Sequence, residues 1–282
     1  MRRILIFLAF GTLLGCSEAV YKYGYENGDI LLSNRLNNYF DLNKQQEKIL
    51  TKEYKSFKRW HRKNHLPKYI NLLSKISEKL YDQKFTSSFY QEIRRELDKI
   101  RVELWGQVIP AMSKFMVTIE PEQAKQYIEN MKDQTAEFRN YESTSRVKRY
   151  IERHGKTVEF IERISGSLNN QQEKLILSGM KDFDDPKMLW LRFREKRNIE
   201  LKALLLKNST SVEYTRFFQE WYSGTPKASS SFKSFQRKSE LIFSGYQSIF
   251  VPLIASFSNP QRENAKENLQ SWSKIIKNLQ GG

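Results

Sequence analysis

Apolar residues recur along this chain at intervals of three and four rather than two, the spacing that gathers them on one face of a helix. Over 43–65, Ile49, Leu50, Tyr54, Phe57, Trp60 and His61 fall on one side of the helical wheel. No run of alternating β-branched residues competes with that pattern. The spacing predicts helices over about 28–40, 43–65, 67–81, 86 past Trp105, 121–139, 144–164, 169–180, 186–207, 210–222, 230–256 and 260–279. Thr86 suits an N-cap, Pro67 a first turn, and Pro110 predicts a kink or break. Ser223-Gly224-Thr225-Pro226 and the stretch Lys181 to Pro186 read as loops. The predicted fold class is all-α, an elongated or curved multi-helix assembly.

One element repeats. Leu42-Asn43-Lys44-Gln45-Gln46-Glu47-Lys48 returns as Leu168-Asn169-Asn170-Gln171-Gln172-Glu173-Lys174, differing only at Lys44 and Asn170. Looser copies stand at Ile119-Glu120-Pro121-Glu122-Gln123 and Phe257-Ser258-Asn259-Pro260-Gln261. Each is an apolar residue, a polar residue able to cap, two spacers and a glutamine. That is the grammar of a capping box, in which the cap accepts from the third helical N–H and the glutamine reaches back to the cap's own N–H. The pairs Asn43/Gln46, Glu120/Gln123, Asn169/Gln172 and Ser258/Gln261 are therefore predicted helix starts. Their arrangement predicts two similar helical halves, 28–165 and 166–280, with Trp60 and Trp190 at a similar remove from the two closest copies.

The amino end follows a different rule. Met1-Arg2-Arg3 is cationic, Ile4 to Phe10 is apolar, and Leu13-Leu14-Gly15-Cys16 closes the segment. This is the layout of an export signal, too short to span a bilayer. The closing four residues resemble the lipobox of bacterial lipoproteins, which implies a signal peptide over 1–15 and lipid on Cys16, the only cysteine. Ser17, rather than Asp, after the cysteine implies sorting to the outer membrane, facing the periplasm. Residues 16–27 then read as a tether.

The repeated element is also similar to the Leu-Thr-x-x-Gln motif of the CpxP/Spy group of periplasmic helical proteins, with Asn or Glu here in place of Thr. That resemblance implies a cradle of helices that holds unfolded clients or modulates envelope stress signalling. Over most of the chain, Cys16, Tyr39-Phe40-Asp41-Leu42 with Gln46, and Trp60-His61-Arg62 with Leu66-Pro67-Lys68-Tyr69 resemble a family of Gram-negative lipoproteins catalogued as a domain of unknown function. That likeness implies a location and no activity.

Charge narrows the choice of partner. The net charge of +16 draws the chain to acidic envelope proteins, peptidoglycan carboxylates or anionic headgroups. Nucleic acid fits the charge but not the address. Lys44, Lys48, Lys52, Lys55, Arg59 and Arg62 form one stripe nearly opposite Phe57, and Lys48, Lys52, Lys55, Arg59 and Arg62 are the candidate anion or client contacts.

Catalytic signatures are weaker. His61 and His65 share a helix face, but Arg62 and Lys63 beside them repel cations and a third ligand is missing, so no metal is expected. Ser-x-x-Lys occurs at Ser145, Ser178, Ser230 and Ser271 without its companion motifs. With no phosphate loop or dinucleotide fingerprint, neither cofactor nor enzymatic activity is expected. The sequence points to a lipid-anchored, chaperone-like or stress-adaptor binding protein. The alternative is a structural lipoprotein that docks its basic face on peptidoglycan or anionic lipid.

Overall fold

The structure, a computed structural model, describes residues 18–182, 184–223 and 230–281. Among the described residues the fold is all-α, with twelve α-helices. The first six are α1 (Glu18–Glu26), α2 (Gly28–Phe40), α3 (Lys44–Asn64), α4 (Leu66–Tyr81), α5 (Ser87–Met116) and α6 (Pro121–Ser143). The rest are α7 (Arg146–Ser165), α8 (Asn170–Gly179), α9 (Pro186–Leu206), α10 (Ser211–Phe218), α11 (Ser230–Ala255) and α12 (Asn259–Gln280). The expected signal segment 1–15, the expected lipid site Cys16 and Gly224-Thr225-Pro226 lie outside the described residues.

Caps and prolines place most of the boundaries. Thr86 Oγ1 accepts from Phe89 N at 3.2 Å, and Pro67, Pro121, Pro186 and Pro260 occupy first-turn positions where a missing N–H costs nothing. Two expectations change. Residues 18–26, expected as tether, are helical, because Tyr21 and Tyr25 share one face and pack inward, Tyr25 only 9% exposed. Pro110 does not end its helix: α5 continues to Met116. The carbonyl that loses its partner belongs to Gly106, on the exposed side, where water can satisfy it. After α10 the chain widens into a π-helical turn, Gln219–Ser223, that brings Trp221 and Tyr222 into the core.

The helices do not pack as two separate halves. The largest cluster joins Phe40, Leu50, Trp105 and Ile109 to Phe193, Trp221 and Phe235. A second joins Leu80 and Ile161 to Ile176, Ile249, Leu253 and Ala265, and a third joins Leu66, Tyr69 and Leu73 to Leu269 and Ile276. Each cluster draws on both sides of the expected boundary at 165. In the largest cluster the crossing is made by α9, α10 and α11; in the other two it involves α12, which lies along α4 and also touches α7. At Gly179 a Cβ would stand 2.5 Å from Ile249 Cγ1, so the close approach of α8 to α11 requires glycine there.

Candidate functional site

The four predicted capping motifs meet in pairs. Asn43 Oδ1 accepts from Gln46 N at 2.9 Å, and Gln46 Oε1 accepts from Asn43 N at 3.0 Å. Gln46 Nε2 then donates to Gln123 Oε1 at 2.7 Å and to the Thr118 carbonyl at 2.7 Å. Gln123 mirrors it: Oε1 accepts from Glu120 N at 3.0 Å, and Nε2 donates to Gln46 Oε1 at 2.8 Å and to the Asp41 carbonyl at 3.0 Å. The second pair repeats the design. Gln172 and Gln261 exchange amide bonds at 3.1 and 3.0 Å, and each donates to a carbonyl two residues before the other's cap, Ser256 and Ser167. All four glutamines are buried, yet every amide hydrogen and oxygen is used, which is what makes a buried amide tolerable. These are clasps between helix starts: α3 with α6, and α8 with α12.

The surroundings of the two closest copies differ. Asn43 opens the 21-residue α3, which carries Trp60 itself, whereas Asn169 opens the 10-residue α8 and Trp190 lies beyond it on α9. A further capping box joins Thr210 and Glu213, with Glu in the role held elsewhere by Gln. A motif defined by glutamine does not include it.

On the outer face of α3 the structure brings the predicted cations together. Lys44, Lys48, Lys52, Lys55 and Arg59 are exposed, and among the described residues none has an ion pair or side-chain hydrogen bond. With Glu47 and Thr51 they line one shallow depression whose described walls contain no large apolar side chain. Arg62, predicted with them, does not belong to this face. It is half-buried, ion-paired to Glu26, and donates through Nε to the Leu279 carbonyl at 2.9 Å. Lys58 holds the same carboxylate at 3.0 Å. Burial pushes the Glu26 carboxyl up, but the hydrogen bond from Lys58 and the two cationic charges outweigh it and hold the group below its ordinary range. Arg62 and Lys58 sit at the edge of the stripe nearest α1, and this places them within reach of Glu26.

A family model described as a family of unknown function matches residues 38–220, well over half of the chain. This chain belongs to the DUF6279 family. No curated protein and no solved structure matches it. The DUF6279 segment contains the whole cationic stripe and the first clasp, and it includes Asn169 and Gln172 but stops before Ser258 and Gln261. A buried cluster on the inner side of α3 joins residues of this segment to Tyr25, which precedes it. His61 Nδ1 lies 2.9 Å from Tyr25 Oη, and Tyr54 Oη donates to the Tyr25 carbonyl at 2.6 Å. His65, fully buried, packs on Trp60 at 4.4 Å between ring centres, with Nε2 3.3 Å from Glu103 Oε2. Burial, helped by His65, pushes His61 down to about 3, so the ring is neutral. Burial likewise lowers His65, with Lys68 adding to it and Glu103 opposing. These histidines fasten α1 and α5 onto the α3–α4 pair. The third histidine, His154, is 3.3 Å from the Glu173 carbonyl on another pair of helices.

The same family segment holds a buried cation that the sequence did not single out. Arg197 is 6% exposed and donates to Tyr222 Oη at 2.5 Å and Asn198 Oδ1 at 3.1 Å. Its guanidinium lies over the Trp190 and Tyr222 rings. Among the described residues no carboxylate pairs with it, so the aromatic faces supply the compensation. At the Ser-x-x-Lys sites, Ser145 is an N-cap and Ser178 donates to the Leu175 carbonyl.

Proposed function

We propose that this DUF6279 member is a lipid-anchored binding protein of the bacterial envelope, held through Cys16 at the outer membrane and facing the periplasm. It binds an anionic envelope partner through the outer face of α3, without catalysis. The observation that supports this is the row of five cations, Lys44 to Arg59, standing exposed and unpaired on one helix face. Like charges a turn apart repel by a few tenths of a kcal/mol per pair, a cost that an anionic partner removes. A cradle for unfolded chains requires apolar side chains among the cations, and the described walls of this depression offer none. That favours docking on an anionic surface, peptidoglycan or phospholipid, over the chaperone-like reading.

The test is Lys48→Gln, Lys52→Gln, Lys55→Gln and Arg59→Gln together. All four are exposed, so the fold should change little, each by less than about 0.5 kcal/mol. Binding to isolated peptidoglycan or to anionic vesicles should weaken, and parent binding should fall with added salt, because exposed charges are screened over about 10 Å at 0.1 M. A variant that sediments and floats like the parent would show the stripe to be a solvated face only. Suppression of client aggregation by the parent, lost in the variant, would restore the chaperone-like reading. Mass spectrometry of the mature amino end reads the anchor independently: an unmodified Cys16 ends that part of the proposal.

A further inference from the structure

Beside the stripe, the amino-terminal edge carries apolar side chains that no described residue covers. α1 turns Tyr21 and Tyr25 inward, while Val20 and Tyr23 on its other side are 53% and 65% exposed. α2 is built the same way. Leu32, Leu36 and Phe40 face the largest cluster, and Ile30 and Leu31 point outward at 53% and 49% exposure. The two outward faces adjoin, since Leu31 Cδ1 lies 3.8 Å from where a Cβ on Gly24 would stand, and Gly24 is one turn from Val20 and next to Tyr23. A helix pair apolar on both sides has a second surface to cover.

Two observations indicate what covers it. Cys16 stands two positions before the first residue of α1, and two residues of chain span at most about 7 Å. Lipid on that cysteine therefore holds α1 at the bilayer surface. Exposed cations stand near the patch among acids: Lys22 lies on α1 and Lys277 on α12, where Asn278 donates to exposed Glu18 at 2.6 Å, and Asp29 precedes Ile30. Lys58 and Arg62, one position round α3 from the stripe, hold Glu26 of α1, so the free cations border the same edge. An apolar patch with a tyrosine, adjacent to acyl chains and bordered on the α3 side by free cations, matches the interface of an anionic membrane.

We propose that Val20, Tyr23, Ile30 and Leu31 form a membrane seat that enters the headgroup layer of an anionic phospholipid bilayer beside the anchored cysteine. This rests on the lipid-anchor part of the function proposed above and not on the identity of the stripe's partner. The seat fixes which side of the body faces the lipid, so that the anchor sets orientation as well as distance.

The experiment uses the chain without residues 1–15 and with Cys16→Ser, which keeps every described element and has no acyl group. It should float with vesicles of phosphatidylethanolamine and phosphatidylglycerol. Combined Val20→Ser, Tyr23→Ser, Ile30→Ser and Leu31→Ser should lower that partition at least about tenfold with an unchanged helical signal. An environment-sensitive dye on Leu31→Cys should shift its emission to the blue when vesicles are added. The same dye on Leu241→Cys, an equally apolar and more exposed site on α11, should not shift. Partition unchanged by the four serines, or a dye at 31 that does not respond, overturns the seat. So does a parent that is dimeric without lipid while the serine variant is monomeric, because a second copy then covers the patch. A stripe variant that floats like the parent while the dye at 31 still shifts removes phospholipid as the stripe's partner and leaves the seat standing.

Discussion

His61 links a single side chain to the pH range over which the protein holds together. An unfolded histidine takes up a proton as pH falls through its ordinary value of 6.5, whereas in the folded chain burial keeps His61 neutral down to about 3. The folded state therefore binds fewer protons across that interval, and stability must fall as pH drops from 7 to 5. For His61 alone the loss is on the order of 2 kcal/mol by linkage. Glu26 and Glu103, held below 4.5, withdraw their support only at lower pH and leave this window clear. Denaturant titration at pH 7 and pH 5 should show the drop, and His61→Asn should reduce it, leaving the share that His65, also held down by burial, contributes; a parent curve that does not move would mean the rings are solvated. The spacing of His61 and His65 was legible in the sequence. Their burial was not, because the partner that covers His61 is Tyr25, from a stretch whose three tyrosines read equally well as tether.

At the scale of helices, the amide clasps make a prediction that simple capping does not. Gln46→Ala strands Gln123, the Asn43 N–H and the Thr118 carbonyl in a buried site, and each unsatisfied group costs about 1–3 kcal/mol. The loss should exceed the roughly 1 kcal/mol of an ordinary cap. Combining Gln46→Ala with Gln123→Ala should cost less than the sum of the two, whereas Gln46→Ala with Gln261→Ala should add, because those residues belong to different clasps. Equal additivity in both pairs, measured by urea unfolding, would reduce the clasps to independent caps. The helix starts themselves were readable because a cap announces itself in side-chain identity: Asn43, Glu120, Asn169 and Ser258 all open helices. Which starts meet was not readable. The groups that join them include the main-chain carbonyls of Asp41, Thr118, Ser167 and Ser256, and a carbonyl leaves no mark on the sequence. Pro110 misled for a related reason, since the cost of a proline in a helix depends on whether its orphaned carbonyl can reach water.

For the molecule as a whole, the repeated motifs suggested two halves, and local pattern could not reveal that the halves share their cores. α12 covers α4, so deletion of residues 259–282 should uncover Leu66, Tyr69 and Leu73 and open the second clasp by removing Gln261. The shortened chain should bind a hydrophobic dye and be cut by protease in α4 under conditions where the full chain resists. A truncated protein as resistant as the parent would mean that α1 to α11 hold together without α12. The basic face, by contrast, was fully legible apart from Arg62, because exposed charge on a regular helix needs no knowledge of neighbours.

The lie of α12 along α4 also sets a timetable. A chain made from its amino end releases α4 long before α12, and all three large clusters contain residues from beyond position 165. The first is complete only when α11 has been made, and the second and third only when α12 has. Contacts this distant along the chain are slow to form, and the early helices meanwhile present bare apolar stripes. Closure of the second and third clusters therefore waits on α12, and any factor that shields the earlier helices must stay until α12 has docked.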